Sequence, residues 1–277
     1  MQNMSELHRF SRTELLIGPA GLETLRQKQV AVAGLGGVGS YTVEALARSG
    51  IGSLVLVDFD TICLTNTNRQ LHAISGNYGQ AKVEVMAERV KAINPQIDIQ
   101  TYHEFITAEN IGTIFKPGIS YVVDAIDTVY SKVDLIIHCL QSGIPIISCM
   151  GTGNKFDPLA FRIDDISNTH TCPLAKAVRK TLREKGISQG VKVVYSIEKP
   201  IQPDSDVPTC HQNCICPKPD EQVWNCTRRR QIPGSTSYLP PIAGLIMAGE
   251  VIRELLKINQ RSKVESRKPE TEVEFKS

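Results

Sequence analysis

The chain has 277 residues, 41% of them hydrophobic and 22% charged, and its formal net charge is only +2. That size admits one large α/β domain or one domain with an insertion, and the charge balance excludes a global basic field, so any nucleic-acid contact must come from local patches. The polar first ten residues predict no secretory signal, and no apolar run approaches the roughly 20 residues of a membrane span, so a cytoplasmic enzyme without a membrane partner is expected.

In chain order, an amphipathic segment at 9–27 precedes a strand at about 30–35. The strand breaks into Gly34-Leu35-Gly36-Gly37-Val38-Gly39. A helix over 38–49 ends at Gly50 and Gly52, as C-cap glycines do. A second strand, 54–58, closes on Asp58-Phe59-Asp60. The polar stretch 61–77 is too long for an ordinary βα connection and reads as a functional loop. Apolar residues Val83, Met86, Val90 and Ile93 at helical spacing predict a helix over 79–93, stopped by Asn94-Pro95. Strands at 97–102, 121–124 and 144–148 alternate with helices at 108–115 and 131–141. The pattern predicts an α/β, Rossmann-like, doubly wound and mostly parallel sheet. Extra C-terminal elements follow: strands at 156–163 and 191–197, a helix at 174–184 and a strong helix at 240–257.

The glycine turn between a strand and a helix is a nucleotide-binding signature. Its glycines permit a tight turn and bring backbone N–H groups to phosphates at a helix N-terminus. Asp58 and Asp60 stand where a ribose hydroxyl is gripped, and the turn alone leaves NAD, FAD and ATP open. Three later features favour ATP. In Asn66-Thr67-Asn68-Arg69-Gln70, Arg69 suits a bidentate grip on phosphate, while Asn66 and Gln70 suit ribose or phosphate oxygens; the alternative is a loop whose asparagines only turn the chain. Lys82 opens the next helix, either reaching phosphates or lying on the surface. Asp127 follows the fourth strand, either holding Mg²⁺ against the phosphates or capping the next helix.

Taken together, Gly34, Gly36, Gly37, Gly39, Asp58, Asn66, Arg69, Lys82 and Asp127 resemble the ubiquitin-activating-enzyme-like adenylating superfamily. The resemblance implies ATP with Mg²⁺ as co-substrate, transfer of AMP onto a carboxylate, and Arg69, Lys82 and Asp127 as the catalytic groups. Arg9-Phe10-Ser11-Arg12 looks like that family's Arg-x-x-Arg segment, which implies a homodimer in which Arg12 reaches the ATP of the other subunit.

Many members carry two Cys-x-x-Cys pairs that bind Zn²⁺. This chain instead has Cys172, Cys210, Cys214, Cys216 and Cys226, so a Zn²⁺ site and free or redox-active loop thiols both remain open. Cys63, Cys139 and Cys149 lie in apolar segments and read as buried thiols.

The second half is similar to the tRNA threonylcarbamoyladenosine dehydratase branch. Gly151-Thr152-Gly153, Asp157-Pro158, Pro173-Leu174-Ala175 and residues 193–200 carry this narrower resemblance. It implies a tRNA substrate bearing N6-threonylcarbamoyladenosine, activated at its carboxylate and cyclised intramolecularly with loss of water, which needs no catalytic cysteine. The alternative is an adenylyltransferase for a ubiquitin-like sulfur-carrier protein, and sulfur-metabolism proteins are candidate associates. Residues 1–258 are expected to form one adenylating domain with a cysteine-containing crossing loop at about 204–234. The charged tail 259–277 is expected to be disordered.

A tRNA substrate also gives the basic clusters a role. Lys176, Arg179, Lys180, Arg183 and Lys185, and separately Arg228-Arg229-Arg230, either contact phosphates or are solvated surface charge. Tyr195 and Trp224 either stack on a base or pack.

Overall fold

The computed structural model describes residues 7–204 and 233–258. In chain order the elements are α1 (Ser11–Arg26), β1 (Gln29–Ala33), α2 (Gly39–Arg48), β2 (Ser53–Val57), α3 (Lys82–Ile93), β3 (Asp98–Tyr102), α4 (Ile111–Ile114), β4 (Tyr121–Asp124), α5 (Val129–Ser142), β5 (Ile146–Cys149), β6 (Phe161–Asp165), α6 (Pro173–Glu184), β7 (Lys192–Ser196) and α7 (Leu239–Leu255). The strands form one sheet in the order β3-β2-β1-β4-β5-β7-β6. Every pairing is parallel except β6 with β7, in accord with the mostly parallel sheet read from the sequence.

Strand alternation divides the core. Val30 and Val32 of β1, with Leu54 and Leu56 of β2, face a cluster built with α2, α3 and α7. Ala31, Ala33, Val55 and Val57 face the opposite cluster, built with α4, α5 and α6. A two-residue period places consecutive side chains on opposite faces, so helices must cover both to bury them. The C-terminal helix belongs to this shared core. Gly244 of α7 lies so close to α2 that an added Cβ would stand 2.3 Å from the Val38 carbonyl oxygen, and the Thr42 hydroxyl donates to the Gly244 carbonyl at 3.0 Å.

Several predicted boundaries move, two of them for reasons the local geometry shows. The helix expected from residue 79 begins only at Lys82: Gly79 has φ +85°, its N–H donates to the Ile62 carbonyl at 2.8 Å, and Thr61 bridges to Ala81. The strand expected from residue 156 begins at Phe161. Pro158 has no N–H for a ladder, and the Asp157 carboxylate accepts from the Leu159 N–H at 2.8 Å to cap a short 3₁₀ turn. Among the described residues, no helix is long and apolar enough to cross a membrane.

Candidate active site

β1 and β4 are hydrogen-bonded neighbours, but the chain leaves them toward opposite edges of the sheet. Such a switch point opens a crevice at the strands' carboxyl ends. The glycine turn forms one lip. Gly34 has φ +86°, and a Cβ there would lie 2.8 Å from the Ala125 carbonyl oxygen; one on Gly39 would lie 1.8 Å from the Gly34 carbonyl oxygen. Side chains are therefore excluded at both positions. The turn delivers the chain into α2, whose first-turn N–H groups have no intrahelical acceptor and form the positive end of the helix dipole.

A buried cation stands among carboxylates beside this turn. The Lys82 ammonium donates to Asp60 Oδ2 at 2.7 Å and lies 3.9 Å from Asp58 Oδ1. Burial opposes its charge, yet Asp58, Asp60 and Asp127 outweigh burial and hold its pKa above the usual lysine range. Burial pushes the Asp58 carboxyl up, against the pull of Lys82. Asp58 also fixes the turn, accepting from the Leu35 N–H at 2.6 Å and the Asp60 N–H at 2.8 Å. Of the two readings of Lys82, the surface one is excluded, because the residue is 3% exposed. Thr128 stands directly ahead of α5 and its side chain makes no capping hydrogen bond; Asp127 precedes it.

The long loop brings Arg69 and Gln70 to the same lip. A Cβ on Gly37 would meet Arg69 Cγ at 3.2 Å, and one on Gly36 would stand 3.8 Å from Gln70 Nε2. The Arg69 guanidinium donates to the Thr65 carbonyl and to Asn68 Oδ1, each at 3.0 Å. Asn66 serves the turn itself, its Oδ1 accepting from the Cys63 N–H at 3.0 Å. Gln70 Oε1 and both ring nitrogens of His72 are buried without a hydrogen-bond partner. Burial, with the charge of Lys82, pushes the His72 imidazole down to about 3, so it is neutral.

The opposite lip rests on residues that sequence reasoning missed. Lys132 is fully buried and donates to Asp124 Oδ2 at 2.7 Å, Ser148 Oγ at 3.1 Å and the Cys149 carbonyl at 3.0 Å. Ser148 Oγ donates to Asp124 Oδ2 at 2.6 Å, and Asp124 Oδ1 accepts from the Ile126 N–H at 3.0 Å. This network fixes the segment that carries Asp127. Its signal was present in the sequence: Lys132 shares the core-facing i, i+3, i+4, i+7 row with Leu135, Ile136 and Cys139, where a cation demands a buried carboxylate.

The predicted crossing loop falls largely outside the described residues, but the described residues that flank it meet at Asn154. The Ile201 N–H donates to the Asn154 carbonyl at 2.7 Å, and Asn154 and Gly234 exchange hydrogen bonds of 2.9 and 2.6 Å. Asn68 Nδ2 donates to the Ser235 carbonyl at 2.9 Å, tying this junction to the loop of Arg69.

Other sequence-selected residues lie apart. Arg12 is exposed on α1. Its neighbour Arg9 donates to the Ile93 carbonyl at 2.6 Å, at the end of α3 opposite Lys82, roughly 16 Å away by helix rise. Arg12, one turn further along α1, therefore starts from that far end of α3 rather than from the glycine turn. Cys172 is buried at the start of α6, and Cys63, Cys139 and Cys149 are buried too. Cys210, Cys214, Cys216 and Cys226, with Trp224 and the three arginines 228–230, lie outside the described residues. Among the described residues no cluster of three or more His, Cys, Asp or Glu is placed to hold a metal. Tyr195 is buried and packs edge-on against His170 with ring centroids 5.8 Å apart, which favours its packing role.

The ThiF family model matches residues 10–273. A tRNA threonylcarbamoyladenosine dehydratase of Bacillus subtilis (strain 168) is 46% identical over 255 residues, covering 91% of this chain and 96% of that one. Its counterpart of the same name in Escherichia coli (strain K12) is 41% identical over 209 residues, covering 73% and 78%. Among solved structures, E. coli tRNA N6-threonylcarbamoyladenosine dehydratase, TcdA, in complex with ATP matches with a TM-score of 0.77 at 33% identity, over 90% of this chain and 94% of that one.

Proposed function

The chain belongs to the ThiF family, and from that premise we propose that its switch-point cleft binds ATP and consumes it to dehydrate N6-threonylcarbamoyladenosine in tRNA. The enzyme is an ATP-dependent tRNA threonylcarbamoyladenosine dehydratase. The observation that carries this reading is the convergence of Lys82 and Arg69 on the glycine turn, with Asp127 beside Lys82. A nicotinamide site needs no such gathering of cations and a further carboxylate at its phosphate end.

The substrate carboxylate is already ionised at neutral pH, so the first step requires no general base. One of its oxygens attacks the α-phosphorus of ATP, and the bond to the β,γ-diphosphate breaks. Negative charge grows on the departing pyrophosphate, where Lys82 and Arg69 stabilise it. The second step needs only proximity. The carbamoyl group of the same modification attacks the activated carbonyl and gives up one proton to solvent, AMP leaves with one former carboxylate oxygen, and the base is lighter by one water. Asp127 would offer a hard carboxylate to Mg²⁺ alongside the nucleotide phosphates, and Mg²⁺ held there would supply charge neutralisation.

Residues 1–258 act as one adenylating domain, and Arg12 works across a homodimer. Its start from the far end of α3 supports this, as does the apolar surface beside it, where Leu15 and Leu16 are 85% and 87% exposed. Mixing Arg12→Ala with Asp127→Ala chains should restore part of the activity that each lacks alone; no restoration would place Arg12 outside the site. For the reaction itself, protein, ATP, Mg²⁺ and tRNA carrying the modified base should yield pyrophosphate and a base one water lighter. Unchanged nucleoside mass with competent tRNA would overturn the assignment.

A further inference from the structure

α6 carries a charge pattern that works against the helix bearing it. Its buried stripe is Ala175, Val178 and Leu182, and on the other side Lys176, Lys180 and Arg183 are exposed. At 100° per residue these three cations lie within about 60° of one another, and the helix rise spreads them over about 10 Å. Lys176 sits in the first turn, which holds no acidic residue, at the end where the helix dipole disfavours a cation. Lys176 and Lys180 are a like-charge i, i+4 pair, and Lys180 and Arg183 a like-charge i, i+3 pair. Glu184, on the same helix, is four residues after Lys180 and 3.8 Å from it, with both side chains more than half exposed.

Several cations elsewhere in the described chain are matched more closely. Arg48 and Arg89 share Glu44, Lys132 holds Asp124, and Lys192 joins Glu250 and Glu254. One member of the basic run is also structural. Arg179 is half-buried, and its guanidinium donates to the Thr169 carbonyl at 2.7 Å and to the Thr169 hydroxyl. The exposed row is therefore narrower than the sequence cluster. Local choices that cost helix stability without an internal partner mark functional surfaces.

The row also starts beside the cleft. A Cβ on Gly151, just past β5, would meet Cys172 Sγ at 3.4 Å and Leu174 Cβ at 3.6 Å, so the N-terminus of α6 abuts the loop following β5. β5 pairs with β4, whose carboxyl end leads to Asp127. We propose that Lys176, Lys180 and Arg183 form the track along which the phosphodiester backbone of the substrate tRNA docks, with the modified base directed toward the cleft from the N-terminal end of α6. The proposal rests on the assignment of a tRNA substrate.

The test is a triple variant of the full chain, Lys176→Gln, Lys180→Gln and Arg183→Gln, with Lys116→Gln as an exposed control. tRNA binding is measured across salt concentrations, beside the KM values for tRNA and ATP and the melting temperature. Three lost phosphate contacts should lower the slope of log affinity against log salt by about 2 and raise the KM for tRNA about tenfold or more. The KM for ATP should hold, and the melting temperature should hold or rise as the repulsion is removed. An unchanged salt slope and tRNA KM in a folded triple variant overturn the docking track and leave the dehydratase assignment standing. A wild-type chain whose tRNA binding depends on α6 but which releases no pyrophosphate has the opposite meaning: the track stands and the assignment falls.

Discussion

The two lips of the cleft each bury a lysine against an aspartate, and they do so to different ends. On the β4–β5 side, Lys132 and Asp124 have no exposed side-chain surface, and all three ammonium hydrogens of Lys132 are directed to oxygen. On the β1–β2 side, Lys82 is shared among Asp58, Asp60 and Asp127, the Asp60 side chain is 28% exposed, and Gln70 and His72 keep buried polar atoms unpaired nearby. A saturated pair stabilises backbone; one shared among three carboxylates, beside buried polar atoms of other residues that lack partners, is poised to receive a ligand. One ion-pair chemistry thus separates support from reaction by how completely its hydrogen bonds are filled.

The largest effect should come from the sealed side. Lys132→Ala leaves Asp124 charged and buried without its counterion, a loss of about 3–5 kcal/mol in unfolding free energy. Urea denaturation measures it directly. A loss below about 1 kcal/mol would mean that this pair is not sealed and would dissolve the contrast.

On the open side the loss should be in rate. Lys82→Ala or Arg69→Ala removes a group that stabilises departing pyrophosphate, and kcat should fall by about 10²–10³. Arg69→Ala should melt near the native temperature, whereas Lys82→Ala also strips buried Asp58 of its counterion and should lower stability, so its activity is compared per folded molecule. If Lys82→Ala instead unfolds the chain while retaining activity per folded molecule, Lys82 is a structural residue like Lys132.

These lips were unequally legible in the sequence. The sequence marks Gly34 to Gly39, Asp58, Arg69, Lys82 and Asp127 as candidates because strand, turn and helix succeed one another locally, and the structure brings them to one cleft. The doubly wound sheet followed from the same alternation. Lys132 carries a local signal, a cation in the apolar row of α5, but its partners Asp124 and Ser148 are identified only when β4, β5 and α5 pack together. Ser148 is sixteen residues from Lys132 in sequence, and nothing local marks it as a partner. His72 was passed over because its neighbours looked like loop; only tertiary packing reveals it as 2% exposed.

His72 supplies a pH test confined to the open lip. Its pKa is about 3 when folded and about 6.5 in an unfolded chain, so the unfolded chain takes up the proton first as pH falls. Stability is therefore lost progressively from about pH 6.5 down to about pH 3, and the share due to His72 is about 2 kcal/mol by pH 5. His72→Phe should flatten unfolding free energy against pH across that window. An unaltered slope would show that the imidazole is hydrated or paired in solution, and the open lip would then be less unsatisfied than it appears.

The smallest effect tests how completely the sealed lip is sealed. Ser148 Oγ bridges the ion pair, donating to Asp124 and accepting from Lys132. Ser148→Ala removes that bridge but leaves the 2.7 Å contact of Lys132 with Asp124, and Lys132 also keeps the Cys149 carbonyl. The cost is then one hydrogen bond and a partly unsatisfied neighbour, about 1–2 kcal/mol, well short of the Lys132→Ala loss. Because Asp124 still accepts from the Ile126 N–H, the segment carrying Asp127 should stay in place and kcat should change less than about twofold. A large fall in kcat with little loss of stability would reverse this reading: Ser148 would then be positioning Asp127 for the reaction, and the sealed side would share in the chemistry it is here taken only to support.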